Sequence, residues 1–297
     1  MAKSTPILFR DRQGNNLTEA TPGAGFLNFL YGGPFGKLGL WLLVKRKFFS
    51  VAFGKYMSSK LSVSKVQPFI EQYEMDMEPY VIPAKGWSSF NDFFYRKIKS
   101  EFRPIGEGLV SPADGRVLAF QEISDVQKFF IKGAEFDVKS FLQDEKLAQK
   151  YAGGSMVIVR LAPVDYHRYH FPATGKVGSD TVIKGSYYSV SPLALRKSLR
   201  IFLENQRAYC LQETEQFGTV LIADVGATLT GSIINTYTPN SLVNKGDEKG
   251  HFAFGGSTTV LLIEKGKVSL SDDILKNSKA GFETYLKMGE TIGSQLF

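Results

Sequence analysis

From Gly106 onward, the chain alternates short apolar, β-branched runs with turns rich in Gly, Pro and Asp. Runs of this kind, bounded by turn residues, are typical of β-strands. The strands are predicted at Gly115–Glu122, Met156–Leu161, Gly175–Ile183, Thr219–Val225, Thr228–Tyr237 and Phe252–Glu264. The pattern therefore favours a mainly antiparallel β architecture for this part of the chain.

Helical patterns interrupt the strands and also precede them. Apolar residues at helical spacing predict an amphipathic helix over Trp87–Arg103, with Ser88 or Ser89 as its N-cap. Other helical patterns cover Ser64–Tyr80, Val138–Tyr151 and Leu193–Asn205. The prediction is an α+β fold: a β-sandwich-like, mainly antiparallel catalytic core at 106–297 with flanking helices, and an N-terminal helical region within 1–105.

The N-terminal region begins with a polar arm, Met1–Pro22, in which Asp11–Asn16 predicts a short hairpin. The arm lacks the apolar segment and cleavage site of a secretory signal. The next segment, Phe26–Val44, is apolar, but four glycines, a proline and a lysine interrupt it. It therefore predicts contact with an interface rather than a membrane-spanning helix.

Aromatic and basic residues are interleaved after this segment. They are Trp41, Leu42, Lys45, Arg46, Lys47, Phe48, Phe49, Phe53, Lys55 and Tyr56. One interpretation is a monotopic membrane contact, in which apolar side chains enter the lipid and the cations meet anionic headgroups. The alternative is a helical hairpin whose apolar face packs on the protein. The one-sided flanking charges favour the membrane.

Composition narrows the class of partner. The formal net charge of +7 favours an anionic partner. Nucleic acid is disfavoured, because the aromatic residues cluster with aliphatic ones instead of alternating with cations. The single cysteine, Cys210, excludes an internal disulfide framework and is typical of a reducing compartment.

A candidate nucleophile lies in Gly255–Thr258, which precedes the apolar run Thr259–Ile263. Glycine permits backbone torsions closed to other residues. Ser257 is therefore predicted to lie on a strained turn at the mouth of a buried strand, a position suited to a catalytic side chain. Most Gly-Gly-Ser-Thr tetrapeptides are only flexible turns. The stretch indicates a function only if other segments supply partners for its serine.

Two of the three histidines, His167 and His170, lie close together in sequence. They fit a metal site poorly, because the third, His251, is distant and carries no supporting motif. They are either structural histidines among aromatic residues or acid–base groups. Asp114 precedes a glycine, a pattern typical of a turn. Together, Asp114, one histidine and Ser257 supply the parts of an Asp–His–Ser relay.

Taken together, these motifs resemble the bacterial type of phosphatidylserine decarboxylase. The resemblance rests on Gly-Gly-Ser-Thr at 255–258, Asp-Tyr-His-Arg-Tyr-His-Phe-Pro at 165–172 and Ser-Pro-Ala-Asp-Gly at 111–115. Further matching segments, in the same order, are FFYRKIKSEFRPI, FIKGAEFDV, VGATLTGSI, KGDEKGHF and ETYLKMGETIG. The resemblance covers essentially the whole chain. It departs at Gly255, where many members of the family carry an aliphatic residue.

The resemblance implies an enzyme that processes itself. Ser257 attacks the carbonyl of Gly256, and β-elimination then splits the chain into a large part, 1–256, and a small part, 257–297. A pyruvoyl group, the pyruvate-derived cofactor, replaces Ser257 at the start of the small chain. No metal ion is implied.

The resemblance also implies roles for the other motif residues. Asp114, His170 and Ser257 match the family's charge relay for self-cleavage, and His167 matches the residue associated with decarboxylation. The implied reaction converts phosphatidylserine to phosphatidylethanolamine and carbon dioxide through a Schiff base with the pyruvoyl group. The implied location is the cytoplasmic face of the cell membrane, as a peripheral protein.

The implied assembly is a heterodimer of the large and small chains, and a dimer of such heterodimers stays open. Two rival classes of function are a serine hydrolase that uses the same relay and a lipid-binding scaffold whose Gly-Gly-Ser-Thr is only a turn. The hydrolase motif Gly-x-Ser-x-Gly is absent, because position 259 is threonine.

Overall fold

The computed structural model describes residues 7–19, 47–126, 137–186, 203–226, 233–255 and 257–296. Strands dominate these ranges. They are β1 Leu8–Arg10, β2 Asn16–Thr18, β3 Leu109–Val110, β4 Gly115–Phe120, β5 Ser155–Leu161, β6 Arg168–His170, β7 Gly175–Val177, β8 Thr181–Ile183, β9 Arg207–Thr214, β10 Gly218–Gly226, β11 Ile233–Asn235, β12 Leu242–Val243, β13 Glu248–Phe252, β14 Ser257–Ile263, β15 Val268–Leu270, β16 Thr284–Leu286 and β17 Thr291–Gln295.

The helices are fewer and mostly short. They are α1 Lys47–Met57, α2 Val66–Gln72, α3 Phe90–Phe94, α4 Val138–Leu142, α5 Glu145–Lys150 and α6 Asp272–Lys279, with 3₁₀ turns at Lys60–Lys65, Ser100–Phe102 and Ile123–Asp125. The predicted α+β class, in which β structure predominates, is confirmed.

Eleven of the described strands form one large sheet, in the order β12-β7-β9-β10-β14-β5-β4-β16-β1-β2, with β8 paired to β9. The pairs are antiparallel, except for the parallel contact between β1 and β16. Strand β14 is an inner strand, between β5 and β10, and all its residues are buried. A strand covered on both faces reads as a continuous apolar run, which explains the pattern of Thr259–Ile263.

Two smaller sheets, β11-β13-β6 and β15-β17-β3, complete the described β structure. Tyr169 of β6 and Phe252 of β13 belong to the same apolar core as Leu261 of β14. Val260 and Leu262, which point to the opposite face of β14, belong to a second core. Strand β14 therefore lies between two apolar cores, which hold its backbone firmly.

A third apolar cluster is built on α3. Phe90, Phe93 and Phe94 are buried there, and Phe254 packs against them. The ring centroid of Phe254 lies 5.0 Å from that of Phe94 and 5.2 Å from that of Phe90. Because Phe254 precedes Gly256 by two residues, this aromatic cluster holds the segment that leads to the predicted cleavage bond.

The helix predicted over Trp87–Arg103 is much shorter in the structure. Its N-cap is Ser89, whose Oγ accepts from the amide of Asp92 at 3.1 Å, as one of the two candidates predicted. The helix ends at Phe94. Beyond it, Ile98 forms a β-bridge with Tyr80, so backbone pairing outside the helix overrides the helical spacing of apolar residues.

Other sequence predictions differ from the structure in smaller ways. The helical pattern Val138–Tyr151 forms two helices, because Gln143 adopts a left-handed conformation with φ of 51°. Strand β9 was not predicted. Part of Thr228–Tyr237, most of Leu193–Asn205 and all of Phe26–Val44 lie outside the described residues.

The N-terminal residues that are described contact the β-rich part of the chain. The predicted hairpin is confirmed as β1–β2, and β1 also pairs with β16. Arg103 forms an ion pair with Asp114 across the predicted boundary. The boundary between residues 105 and 106 itself stays a prediction. In the part of the chain that is described, no helix has the length and hydropathy needed to cross a membrane.

Candidate active site

Ser257 is the first residue of β14. Its backbone is paired with Leu161 of β5 on one side and with Gly226 of β10 on the other. The residue is fully buried, and its Oγ has no hydrogen-bond partner among the described residues. An unpaired buried hydroxyl costs about 1–3 kcal/mol, so a native structure that keeps one calls for a reason. The predicted position, at the mouth of a buried strand, is confirmed.

The residues before Ser257 are held from two sides. The amide of Phe252 donates to the carbonyl of His167 at 2.9 Å, and the amide of Phe254 donates to Oδ1 of Asn91 at 2.8 Å. Gly255 has a φ of 155°, a torsion that glycine adopts without strain. Gly256 lies outside the described residues.

His167 lies directly before β6 and is fully buried. Its Nδ1 is 3.0 Å from the carbonyl oxygen of Asp165. Because a carbonyl oxygen only accepts, Nδ1 carries the proton and Nε2 holds a lone pair. That Nε2 has no partner among the described residues. The ring centroid of Phe94 lies 3.8 Å from that of His167, so one aromatic ring connects this imidazole with Phe254.

The environment of His167 keeps its imidazole neutral. Burial lowers its pKa to about 3. The hydrogen bond to the Asp165 carbonyl opposes this shift, whereas the positive charges of Arg96 and Arg116 add to it. At neutral pH the side chain is therefore a buried, uncharged base with an available lone pair.

His170, the last residue of β6, has both ring nitrogens occupied. Nδ1 donates to the carbonyl of Gly246 at 2.9 Å, and Nε2 then accepts from the hydroxyl of Tyr166 at 3.1 Å. Burial lowers the pKa of His170, and the charges of Glu248 and Asp114 only partly oppose that shift. This imidazole is also neutral, but its lone pair is in use.

Asp114 is occupied by partners other than histidine. Its carboxylate accepts two hydrogen bonds from the guanidinium of Arg103, one of them from Nε at 2.9 Å, and a third from the amide of Met288 at 2.8 Å. The next residue has to be glycine, because a Cβ at position 115 would lie 2.6 Å from the carbonyl oxygen of Arg160. Through Arg103 and Met288, Asp114 joins the part of the chain before the predicted cleavage bond to the part after it.

The structure thus brings β6 and the segment of Asp114 together but does not join the three predicted relay residues. The amide of His170 donates to the carbonyl of Pro112 at 2.7 Å, which ties β6 to the segment of Asp114. Among the described residues, however, there is no side-chain hydrogen bond between Asp114 and His170, or between His170 and Ser257. An Asp–His–Ser relay needs both bonds. The relay stays a prediction.

A buried ion pair lies on the same face of the sheet as Ser257. Lys249 and Asp224 are fully buried and paired, and Oγ1 of Thr259 donates to the Asp224 carboxylate at 3.0 Å. The register of β13 shifts between Glu248 and Gly250, so Lys249 is the extra residue of a bulge. Thr259 and Ser257 are two apart in β14 and share a face. The pair therefore anchors the start of the strand.

Sequence reasoning missed this ion pair and the arginines around the histidines. Lys249 lies in a charged, glycine-containing segment that is typical of a solvated turn. Arg96 and Arg103 lie within the pattern of an amphipathic helix, where charges normally mark the solvent face. No sequence signal distinguishes these buried cations from surface ones. Within the described residues, no group of three or more His, Cys, Asp or Glu side chains could hold a metal ion.

Comparison with known proteins agrees with the motifs. The family model for phosphatidylserine decarboxylase matches residues 90–294. The chain is 48% identical over 287 residues to the phosphatidylserine decarboxylase proenzyme of Fusobacterium nucleatum, with 96% of each chain covered. Proenzymes of the same name from Clostridium novyi and Clostridium beijerinckii are 45% and 42% identical over 281 residues, with 94% of this chain and 95% of theirs covered. The chain belongs to the phosphatidylserine decarboxylase family.

Proposed function

We propose that the chain is a proenzyme that cuts itself between Gly256 and Ser257 and then converts phosphatidylserine to phosphatidylethanolamine and carbon dioxide. The observation that carries the proposal is the buried, unpartnered Oγ of Ser257, at the start of an inner strand and within the family's Gly-Ser-Thr motif. The names of the relatives support the choice of substrate.

Self-cleavage uses only atoms of the chain and one water molecule. Oγ of Ser257 attacks the carbonyl carbon of Gly256, the peptide C–N bond breaks, and an ester replaces it. Removal of the Ser257 Cα proton then expels the Gly256 carboxylate and leaves dehydroalanine. Water hydrolyses this residue, with loss of ammonia, to a pyruvoyl group.

Position 257 suits such a group. Serine is small, its side chain makes no hydrogen bond with the described residues, and Thr258–Ile263 pair with β5 through backbone atoms. A pyruvoyl group supplies a carbonyl that condenses with an amine and takes up the electron pair released when carbon dioxide leaves. The chain then has to exclude water, hold the substrate and move protons.

We assign the proton transfers of decarboxylation to His167. Its free Nε2 lone pair can accept a proton from the substrate's ammonium group, and the same nitrogen can return a proton to the carbon that has lost carbon dioxide. The low pKa of the imidazole suits the second step, because an imidazolium of low pKa gives up its proton readily.

We assign self-cleavage to Ser257 with Asp114 and His170, as the family pattern implies. The contacts of Asp114 with Arg103 and Met288 support a role in holding together the segments before and after the cleavage bond. For His170 to accept the Ser257 proton, its Nε2 has to exchange the Tyr166 hydroxyl for Oγ of Ser257.

The two products of cleavage stay together in this proposal. Strands β14, β16 and β17 follow the cleavage bond, and they pair with β5, β10, β4 and β3, which precede it. Nη2 of Arg160 also lies 2.6 Å from a carboxylate oxygen of Glu283. These contacts support a heterodimer of the large and small chains. Assembly of two heterodimers stays a proposal.

The proposed function is tested with the wild-type chain and lipid vesicles. Intact mass measurement should find two polypeptides that end and begin at residues 256 and 257, with the small one carrying a pyruvoyl group. The same preparation should release carbon dioxide from phosphatidylserine vesicles and form phosphatidylethanolamine. An intact chain with a free serine at 257, or a cleaved chain inactive on phosphatidylserine, would contradict the proposal.

We further propose that residues 21–55 bind an anionic membrane surface, on the cytoplasmic face of the cell membrane. The aromatic and basic sequence of this segment supports the proposal. Within the segment, Phe53 of α1 packs on the protein, with its ring centroid 6.1 Å from that of Phe254. A membrane contact at this segment would therefore adjoin the residues that lead to Ser257.

Reversal of three charges, by K45E, R46E and K47E together, should release the protein from phosphatidylglycerol-containing vesicles. Each cation near an anionic surface contributes about 1 kcal/mol, so cosedimentation should fall at least tenfold. The matched control carries K265E, K276E and K279E, which make the same change of net charge at exposed positions elsewhere. Equal vesicle binding by the two triple variants would count against the proposal.

A further inference from the structure

Arg96 is a buried cation without an anionic partner. Its side chain belongs to a residue that is 1% exposed, and no carboxylate lies within ion-pair distance of it among the described residues. Buried charges are normally paired. Of the four other buried arginines in the described residues, three follow that rule, Arg103 with Asp114, Arg116 with Asp165, and Arg160 with Glu19 and Glu283, whereas Arg207 does not.

The guanidinium of Arg96 binds backbone carbonyls instead. Nη2 donates to the carbonyl of Val164 at 2.9 Å and to that of Asp165 at 3.2 Å. Nη1 lies 3.4 Å from the carbonyl oxygen of Phe94, in the last turn of α3. The flat face of the group lies 4.1 Å from the ring centroid of Tyr80. The arginine therefore ties α3 to the segment that precedes His167.

The same carbonyl oxygen of Asp165 also accepts from Nδ1 of His167. Arg96 thus fixes the acceptor that selects the tautomer of this imidazole. From the other side, α3 presses the ring of Phe94 onto His167. Two contacts of His167 therefore depend on the docking of α3 against residues 164 and 165, and Arg96 makes that connection.

We infer that Arg96 is a positioning residue of the decarboxylation site: by binding the carbonyls of Val164 and Asp165, it holds His167 in the tautomer whose Nε2 lone pair is free. The inference rests on the proposed function only for the use made of that lone pair. The positive charge supports the same state, because Arg96 and Arg116 both disfavour a second proton on His167. The carboxylate of Asp165, paired with Arg116, is the neighbouring negative charge.

The test follows the histidine side chains by NMR in the full chain carrying S257A, which needs no enzymatic activity. With only three histidines in the chain, each can be assigned by substitution. His167 should show a protonated Nδ1 and an unprotonated Nε2 between pH 5 and pH 8. R96M removes both the hydrogen-bonding guanidinium and its positive charge. In this variant we expect His167 to be a mixture of tautomers, with its titration midpoint raised by about one pH unit or more. R96K keeps the positive charge, so in this variant we expect the mixture of His167 tautomers but only a small rise in the titration midpoint.

The matched control is R207M. Arg207 is likewise 1% exposed, and its side-chain hydrogen bonds within the described residues go to backbone carbonyls, among them those of Phe141 at 2.6 Å and Leu203 at 2.8 Å. Its loss should leave the His167 signals unchanged. Unchanged signals in folded R96M and R96K would overturn the inference. An Nε2–H tautomer in the parent chain would do so without any arginine variant, even if neither variant folds.

A second readout links Arg96 to turnover. In R96K on an otherwise wild-type chain, self-cleavage should go to completion, while kcat for phosphatidylserine falls about tenfold to a hundredfold, the scale of a displaced catalytic group. An equal fall in R207K would mean a general effect of lost packing and would contradict the inference. A wild-type chain that folds and shows the expected tautomer but decarboxylates nothing would refute the proposed function and leave the role of Arg96 intact.

Discussion

The S257A variant is expected to remain a single polypeptide of about 33.0 kDa and to have no measurable decarboxylase activity. Alanine has no hydroxyl to attack the Gly256 carbonyl, so neither the ester nor the dehydroalanine can form. Because the pyruvoyl group arises only from that chemistry, loss of cleavage and loss of turnover should be complete and inseparable. Intact mass and carbon dioxide release measure the two effects.

The S257A substitution should not destabilise the fold. Oγ of Ser257 makes no hydrogen bond to the described residues, and the pairing of β14 with β5 and β10 uses backbone atoms. Removing an unpartnered buried hydroxyl relieves a cost of about 1–3 kcal/mol. The melting temperature should therefore equal or exceed that of unprocessed wild-type protein. A large drop in melting temperature would show that the hydroxyl has a structural partner.

The S257C variant tests whether cleavage needs a nucleophilic side chain at position 257, because it replaces the hydroxyl with a thiol of similar size. A thiol can make the corresponding thioester, so this variant should cleave at a measurable rate, whereas S257A should not cleave at all. Complete cleavage of S257A would mean that another group starts the reaction. Labelling of an intact wild-type chain at Ser257 by a fluorophosphonate would instead favour the serine hydrolase.

Much of the fold could be predicted because buried strands carry a local signature. Apolar β-branched runs marked β4, β5 and β10 correctly, whereas the predicted strand Phe252–Glu264 is too long, since β14 begins only at Ser257. The run of mixed polarity in β9, RAYCLQET, gave no such signal, although its neighbours in the sheet bury most of it. Phe90–Phe94 had the expected helical spacing, yet pairing of Ile98 with Tyr80 ended the helix early. Tertiary contacts decided these cases.

The site was predictable only where a motif names the residues. The motifs named Ser257, His167, His170 and Asp114. The structure bonds His167 to the segment before Ser257 and His170 to the segment of Asp114, while the relay itself stays a prediction. Their partners could not be read from the sequence, because a side chain's hydrogen bonds depend on segments far away in the chain. Asp114 illustrates this: its carboxylate is taken by Arg103 and by the amide of Met288, 174 residues later.

The two histidines should separate self-cleavage from turnover. In H167A, cleavage should still occur, but kcat for phosphatidylserine should fall about 10²- to 10⁴-fold, the usual contribution of general acid–base catalysis. In H170A, the chain should stay uncleaved, because the variant removes the relay candidate and leaves the Tyr166 hydroxyl and the Gly246 carbonyl without their ring partner. Gel analysis of cleavage, followed by turnover per cleaved chain, measures both. Equal processing in the two variants would refute this division of roles.

The pH dependence of turnover gives an independent check on His167. Because burial holds its pKa at about 3 instead of the usual 6.5, the imidazole stays neutral from pH 5 upward. The profile of kcat/KM should therefore show no acid limb near pH 6.5 from this residue, since such limbs report the free enzyme. As pH falls toward 3, protonation removes the Nε2 lone pair and activity should decline. An acid limb near 6.5 that disappears in H167A would show that His167 is solvated and charged in the working enzyme, which would contradict a buried neutral base.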